Sequence, residues 1–274
     1  MKGYLMQEYR LDVYLQTKGL TESRAKAKQL IIGGSVYVND RLQTKPSGRV
    51  TDLDEIKITN NFEYVGRGAS KLEKAVKHFN IDIKNKTAVD IGASTGGFTD
   101  YLVKNQAKMV YAVDVGHGQL HESLKKNALV INIEGTNFRY IDTAVFKEDI
   151  NIITADVSFI SLKLIFPKIY DISNESTDII VLIKPQFEAG RHSVGKNGII
   201  KDKKTHLDVL NNIQIYCAES GLCLKEATFS PVKGGDGNIE YLGYIRKESG
   251  QISVISESNF KGLINTAFDY YKKN

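Results

Sequence analysis

Residues 86–100 read Lys-Thr-Ala-Val-Asp-Ile-Gly-Ala-Ser-Thr-Gly-Gly-Phe-Thr-Asp, and no other stretch constrains the fold as tightly. An apolar run, Ala88-Val89, ends on the carboxylate of Asp90. Gly92, Gly96 and Gly97 then make a glycine-dense turn, and Phe98 and Leu102 open a helical pattern. A strand, a tight turn and a helix N-terminus belong in an α/β sheet and place a polar ligand at the strand's carboxyl end. Ser94 stands where a pyrophosphate-binding turn needs its second glycine, and no Gly-Lys-Ser/Thr follows. The turn is therefore neither a dinucleotide fingerprint nor a P-loop, which argues against a nicotinamide dehydrogenase. A carboxylate just before the first glycine would repel a phosphate. It suits a ligand bearing an ammonium group, such as S-adenosylmethionine, with Asp90, Gly92, Ala93, Ser94, Gly96, Gly97 and Phe98 as the predicted cradle.

Beyond this turn, strand and helix patterns alternate. Strands are predicted over 87–91, 109–113, 130–133, 152–155, 179–183, 222–230 and 240–246, and helices over 71–79, 98–105, 162–169 and 205–220. Such alternation predicts a mostly parallel, Rossmann-like sheet with helices on both faces, and ligands outside the carboxyl ends of its strands. Asp90, Asp114, Asp156 and Lys184 all fall at predicted strand ends. Asp114 follows Gly92 by the spacing at which a carboxylate accepts ribose hydroxyls. Asn137, after the third strand, is the candidate for the adenine edge, and Asp156 borders the same pocket.

The formal net charge is +5, and residues 1–49 carry all of it, with nine Lys/Arg against four Asp/Glu. A small basic segment ahead of a neutral body suits a polyanionic partner. Here Arg10-Leu-Asp begins a short helix, and Thr21 is the predicted N-cap of a second helix that carries Arg24, Lys26 and Lys28. Gly33-Gly34 stops that helix. Val36-Tyr-Val-Asn is a strand, and residues 50–58 are predicted as another. With Ser23-Arg24, Ala27, Ile31 and Lys45-Pro, this order resembles the small RNA-binding domain of ribosomal protein S-four. The resemblance implies phosphate contacts from Arg10, Arg24, Lys26, Lys28 and Arg41, with Arg67 just beyond. Such contacts orient RNA without reading its sequence.

The chemistry depends on the methyl acceptor. Enzymes acting on exocyclic base nitrogens commonly carry Asn/Asp-Pro-Pro-Phe/Tyr after the fourth strand, where this chain has Asp156-Val-Ser-Phe. Carbon-5 pyrimidine chemistry needs a nucleophilic cysteine, and Cys217 and Cys223 read as packing residues. A ribose hydroxyl needs a group to take its proton, which a lysine does only in its neutral form. Lys71, Asp156, Lys184 and Glu240 match the Lys-Asp-Lys-Glu tetrad of the FtsJ-like ribose 2′-O-methyltransferases. Arg67-Gly-Ala-Ser-Lys-Leu, Asp156-Val-Ser-Phe-Ile-Ser-Leu, Lys184-Pro-Gln-Phe-Glu-Ala-Gly and Ser230-Pro-Val are similar to the TlyA family, whose members methylate cytidine 2′-hydroxyls in ribosomal RNA. The resemblance implies that Lys184 activates the hydroxyl, Asp156 holds its ammonium, Lys71 assists as a nearby cation and Glu240 completes the network.

The resulting layout is an RNA-binding domain over residues 1–59, a linker over 60–66 and a methyltransferase domain over 67–274. Ribosomal RNA or ribosomal subunits are the expected partners, without a metal. Short apolar runs, no secretory pattern and two cysteines point to a cytoplasmic protein. Residues 188–204, with Arg191, His192, Lys196, Lys201, Lys203 and Lys204, are predicted to form a flap near the RNA. The alternatives are a membrane-acting haemolysin, as some family labels suggest, or a non-catalytic RNA-binding protein.

Overall fold

The computed structural model describes residues 7–58, 64–66, 68–190, 195, 198–235, 237–248 and 254–273. The chain divides into two compact units, Met1–Arg67 and Gly68–Asn274.

In the first unit the order is β1 (Tyr9–Arg10), α1 (Leu11–Thr17), α2 (Arg24–Gly33), β2 (Val36–Val38), β3 (Arg41–Gln43), β4 (Arg49–Val50) and β5 (Ile56–Ile58). Leu11, Tyr14 and Leu15 of α1 meet Ala27 and Ile31 of α2 over Val36, Val38 and Val50. β2 runs antiparallel to both β3 and β5, while β1 pairs with β4. Ser23, rather than Thr21, caps α2: its hydroxyl accepts the Lys26 N–H at 3.1 Å. Thr21 instead donates to the Ser23 carbonyl. Gly34 ends the helix at φ +80°, a left-handed position that glycine adopts without a Cβ clash. The single strand predicted over 50–58 is broken. The Asp54 carboxylate accepts the Thr51 N–H and hydroxyl and the Asn39 amide, folding the chain into a turn between β4 and β5.

The second unit runs α3 (Gly68–His78), β6 (Thr87–Ile91), α4 (Gly97–Lys104), β7 (Met109–Val113), α5 (Glu122–Lys125), β8 (Val130–Ile133), β9 (Ile152–Ala155), α6 (Phe166–Ile172), β10 (Asp178–Ile183), α7 (Pro185–Glu188), α8 (Lys203–Glu219), β11 (Leu222–Phe229), β12 (Tyr241–Lys247) and α9 (Glu257–Lys273). Its sheet has the order β11-β12-β10-β9-β6-β7-β8. The strands from β10 to β8 are parallel, whereas β12 is antiparallel to both β10 and β11. The predicted helix over 162–169 divides into a 3-10 turn, Leu162–Leu164, and α6. Pro167 sits in the first turn of α6, where its missing N–H costs no helix bond.

Side-chain alternation assigns the two faces of the sheet. Val89 and Ile91 of β6 join a core with Phe166, Val209, Ile213 and Phe260 from α6, α8 and α9. Asp90, between them, points the other way and meets Thr99 of α4. At the strand ends the backbone ladder continues outward. The Gly92 N–H reaches the Val113 carbonyl at 2.8 Å, the Asp114 N–H reaches Ile133 at 3.1 Å, and the Asp156 N–H reaches Ile91 at 2.9 Å. The loops after β6, β7 and β9 therefore leave the sheet in register, side by side.

Candidate active site

Those loops enclose a cavity of about 400 Å³, within the usual range for small-molecule sites. Gly92 and Ser94 line it after β6, Asp114 after β7, Asn137 after β8, and Asp156, Val157, Ser158 and Phe159 after β9. Gly92 has φ +79°, and a Cβ there would lie 2.6 Å from the Asp156 carbonyl oxygen. Glycine is required for the first turn to lie against the fourth-strand loop. Ser94, also in the left-handed region at φ 50°, donates its N–H to the Asp114 carboxylate at 2.7 Å. The other Asp114 oxygen accepts the Gly116 N–H at 2.7 Å. Each carboxylate oxygen accepts more than one bond, so Asp114 keeps capacity for hydroxyl donors from a ligand. The Asn137 carbonyl oxygen accepts the Arg139 N–H at 3.1 Å, which leaves its amide NH₂ as the group to meet an acceptor.

The remaining predicted cradle residues lie behind the cavity wall. Asp90 is fully buried, and its two oxygens accept hydroxyls from Thr99 at 2.7 Å and Thr154 at 2.8 Å. Burial pushes its carboxyl up to about 6 despite those two donors. Asp90 thus braces β6 against β9 and α4. Ala93 and Phe98 are buried. Gly96 has φ +97° where the chain enters α4, and a Cβ there would strike Leu120 and Leu124. Gly97 presses against Gly68 and Ala69 of α3. These residues shape the turn from behind.

The four predicted catalytic side chains fall at the same edge as two ion pairs. The Lys184 ammonium lies 2.5 Å from Asp156 and donates to the Ser158 hydroxyl at 2.8 Å. Lys184 is 8% exposed. Lys71, on α3, donates to Glu240 at 2.7 Å, and Glu240 is 2% exposed. Ile183 and Tyr241 are cross-strand partners, so Lys184 and Glu240 leave that rung together at one end of the antiparallel pair. Motif reasoning missed Ser158 as a partner of Lys184, although the residue sits inside Asp156-Val-Ser-Phe.

Sequence reasoning also missed what holds the Asp156 and Lys184 loops together. Glu188 accepts the Ser161 hydroxyl at 2.6 Å and the Leu162 N–H at 2.9 Å. Its burial raises its carboxyl above the ordinary range against these donors. Phe159, in the left-handed region at φ 63° and 91% exposed, tilts against Phe187 with ring centroids 5.0 Å apart.

In the first unit, Arg10 and Arg24 converge on Asp12, each at 3.0 Å, and Asp12 is fully buried. Burial alone would raise that carboxyl, but the two guanidiniums hold it below the ordinary range. Lys26, Lys28 and Arg41 are exposed. Arg67 lies outside the described residues, as do Arg191, His192 and Lys196 of the predicted flap. The end of that segment is anchored: Asn238, fully buried, accepts the Ile200 N–H and donates to the Gly198 carbonyl. Lys203 and Lys204 belong to α8. Among the described residues, no His/Cys/Asp/Glu group could hold a metal ion. No described helix is long and apolar enough to cross a membrane.

The sheet and its cavity define a Rossmann-like methyltransferase fold, preceded by a small α+β unit. The chain belongs to the FtsJ-like methyltransferase family, whose profile matches residues 64–247, while the S4 domain profile matches residues 10–56. It is 48% identical to YqxC of Bacillus subtilis (strain 168), a candidate rRNA methyltransferase, over 85% of this chain and 84% of that one. It is 34% identical to the 16S/23S rRNA (cytidine-2′-O)-methyltransferase TlyA of Mycobacterium tuberculosis, over 88% and 90%. Among solved structures, a haemolysin candidate from Streptococcus thermophilus aligns with TM-score 0.78 and 40% identity over 98% of each chain.

Proposed function

We propose that the chain transfers a methyl group from S-adenosylmethionine to a ribose 2′-hydroxyl of ribosomal RNA, with cytidine as the nucleoside. The observation that carries this is Lys184, nearly buried and held by Asp156 and Ser158 beside the cavity. The residues present fit the cofactor: the Asp114 carboxylate suits its ribose hydroxyls, the Asn137 amide its adenine, and the Gly92 turn leaves room for close approach of backbone. When bound, that cofactor supplies a methyl group on a positively charged sulfur.

This chain's own residues would do the rest. In its neutral form Lys184 can direct two N–H bonds to Asp156 and Ser158 and offer its lone pair to the proton of the acceptor hydroxyl. Lys71 and Glu240, paired at the same edge of the sheet, would frame the acceptor beside it. The exposed ring of Phe159 offers a face on which a base can stack. Residues 1–59 would grip the RNA through phosphate contacts from Arg10, Arg24, Lys26, Lys28 and Arg41. Arg67 would act just past the linker at 60–66, and residues 67–274 would hold the chemistry. The name of the mycobacterial relative supports cytidine and ribosomal RNA, and such a substrate places the work in the cytoplasm.

The test uses purified full-length chain with S-adenosylmethionine and ribosomal subunits, and mass spectrometry of the digested RNA. A 2′-O-methylcytidine is expected with the wild type and is lost in Lys184→Ala, with cofactor affinity retained within about twofold. Undiminished methylation by Lys184→Ala would overturn the assignment.

A further inference from the structure

A second recess opens on the far side of Lys71. Between α3 and the loop after β11 lies a shallow, wide-open cleft lined by Ser70, Glu73, Lys74, Lys77, His78 and Pro231. Its cations differ in how they are satisfied. Lys77 is paired with Glu73 at 2.6 Å, and His78 lies 3.0 Å from Glu226. Lys74 meets no carboxylate among the described residues. Its ammonium instead rests 3.3 Å from the centroid of the Phe229 ring. A cation over an aromatic face gains some attraction, but the ring carries no countercharge. Partial burial without that countercharge lowers the Lys74 amine to about 8.

The cleft is joined to the candidate acceptor site at two points. Lys71 and Lys74 are three residues apart on α3, so they share a face and stand about 4.5 Å apart along the axis. Across the cleft, the loop that contributes Pro231 leads to Glu240: the Ser230 N–H donates to the Glu240 carbonyl at 2.8 Å, and Gly234 lies against the Glu240 carboxyl. That loop brings a second cation held on an aromatic ring, Lys233, 5.0 Å from the centroid of Tyr271. Phe229, Tyr270 and Tyr271 are in mutual ring contact beneath both lysines. Two cations on one aromatic patch, one of them half-covered and without a countercharge, make a receptor for an anion that arrives from solution.

We propose that this cleft binds a backbone phosphodiester of the RNA strand that carries the acceptor nucleotide, with Lys74 as its contact. The occupant follows from position. One helical turn from Lys71, an anion covalently tied to the acceptor ribose is the one that the reaction itself delivers. The assignment rests on Lys71 and Glu240 framing that ribose. Binding would give Lys74 the countercharge that it lacks, and its contribution would be to positioning and RNA affinity.

The experiment uses the full chain, S-adenosylmethionine and ribosomal subunits. Lys74→Gln is expected to raise the KM for the subunit about tenfold and to reduce the steepness of the salt dependence by about 0.7, the share of one single-strand phosphate. Lys74→Arg is expected to restore both. An unchanged KM and salt slope in Lys74→Gln would overturn the proposal while leaving the function standing. Absence of any ribose methylation by the wild type would instead overturn the function. A second measurement needs no variant. Acetic anhydride at pH 8 is expected to label Lys74 readily, and bound subunits to protect it at least fivefold relative to Lys84. Equal labelling with and without RNA, or equal protection by inorganic phosphate alone, would overturn the assignment to an RNA phosphodiester.

Discussion

Replacing Asp90 with asparagine tests whether this residue is a ligand of the cavity or a brace behind it. The structure gives its two oxygens to Thr99 and Thr154 and buries it completely. Its carboxyl rises from 3.8 to about 6 because burial disfavours the ion. In the unfolded chain the group ionises near 3.8, so between that pH and about 6 the folded state holds a proton that the unfolded state has lost. Stability therefore falls as pH rises through this window, and the loss is complete above about 6. At 1.36 kcal/mol per pKa unit the step is about 3 kcal/mol. Asp90→Asn has no such step. The amide keeps one acceptor and gains a donor, and a threonine hydroxyl can turn to accept it. The stability of the variant relative to wild type should therefore grow by a little over about 2 kcal/mol between pH 4 and pH 7, the greater part of that step. For a unit of this size that is about 4–10 °C in relative Tm. Calorimetric melts of both proteins across the range read it directly, since every other titrating group cancels between them. Parallel Tm curves would refute the burial argument. A large loss of cofactor affinity at constant stability would show that Asp90 reaches the ligand after all.

Gly92→Ala places a Cβ 2.6 Å from the Asp156 carbonyl oxygen at φ +79°. It should cost at least about 2 kcal/mol and most cofactor binding, read by thermal melts and by titration calorimetry. Ser158→Ala removes one of two partners of Lys184. Turnover should fall about 10- to 100-fold with little change in cofactor Kd, because the amine loses its aim rather than its site. Arg24→Gln leaves Arg10 as the remaining guanidinium on buried Asp12. RNA affinity should fall severalfold with a shallower salt dependence, and the stability cost should be only about 1 kcal/mol, since Arg24 is half-exposed.

The parts of the fold that could be read from sequence are those where local pattern and tertiary demand agree. β6, β7 and β9 match the apolar runs because strands buried on both faces need continuous Val, Ile and Ala, while β8, at the edge of the sheet, is buried only at Val130. Asp114, at the end of its strand, lines the cavity as spacing predicts. Asp90 shows where a local pattern stops short of the tertiary surroundings. A carboxylate at a strand end reads as a ligand group, and only the threonines brought in from α4 and β9 show that each of its oxygens also accepts a hydroxyl from within the fold. Neither Thr99 nor Thr154 announces that role in one dimension. The N-cap shifted from Thr21 to Ser23 because both hydroxyls are competent and the backbone geometry of the turn decides between them.

Glu240 shows the limit more sharply. Asp90, Asp114, Asp156 and Lys184 all lie at the carboxyl ends of parallel strands, the place where α/β sheets gather ligand-binding groups. Glu240 instead precedes its strand. In an all-parallel sheet that position would put it at the opposite edge, a strand's length from Lys184. β12 runs antiparallel to β10, with Tyr241 opposite Ile183, so the residue before β12 and the residue after β10 leave the sheet at the same edge. One reversed strand thus brings a second carboxylate to an edge that parallel strands supply only from their carboxyl ends, and Lys71 reaches it from α3. Strand direction is not written in the hydrophobic pattern of 241–247. Without the resemblance of its motifs to known enzymes, Glu240 would have read as an ordinary charge at the start of a strand.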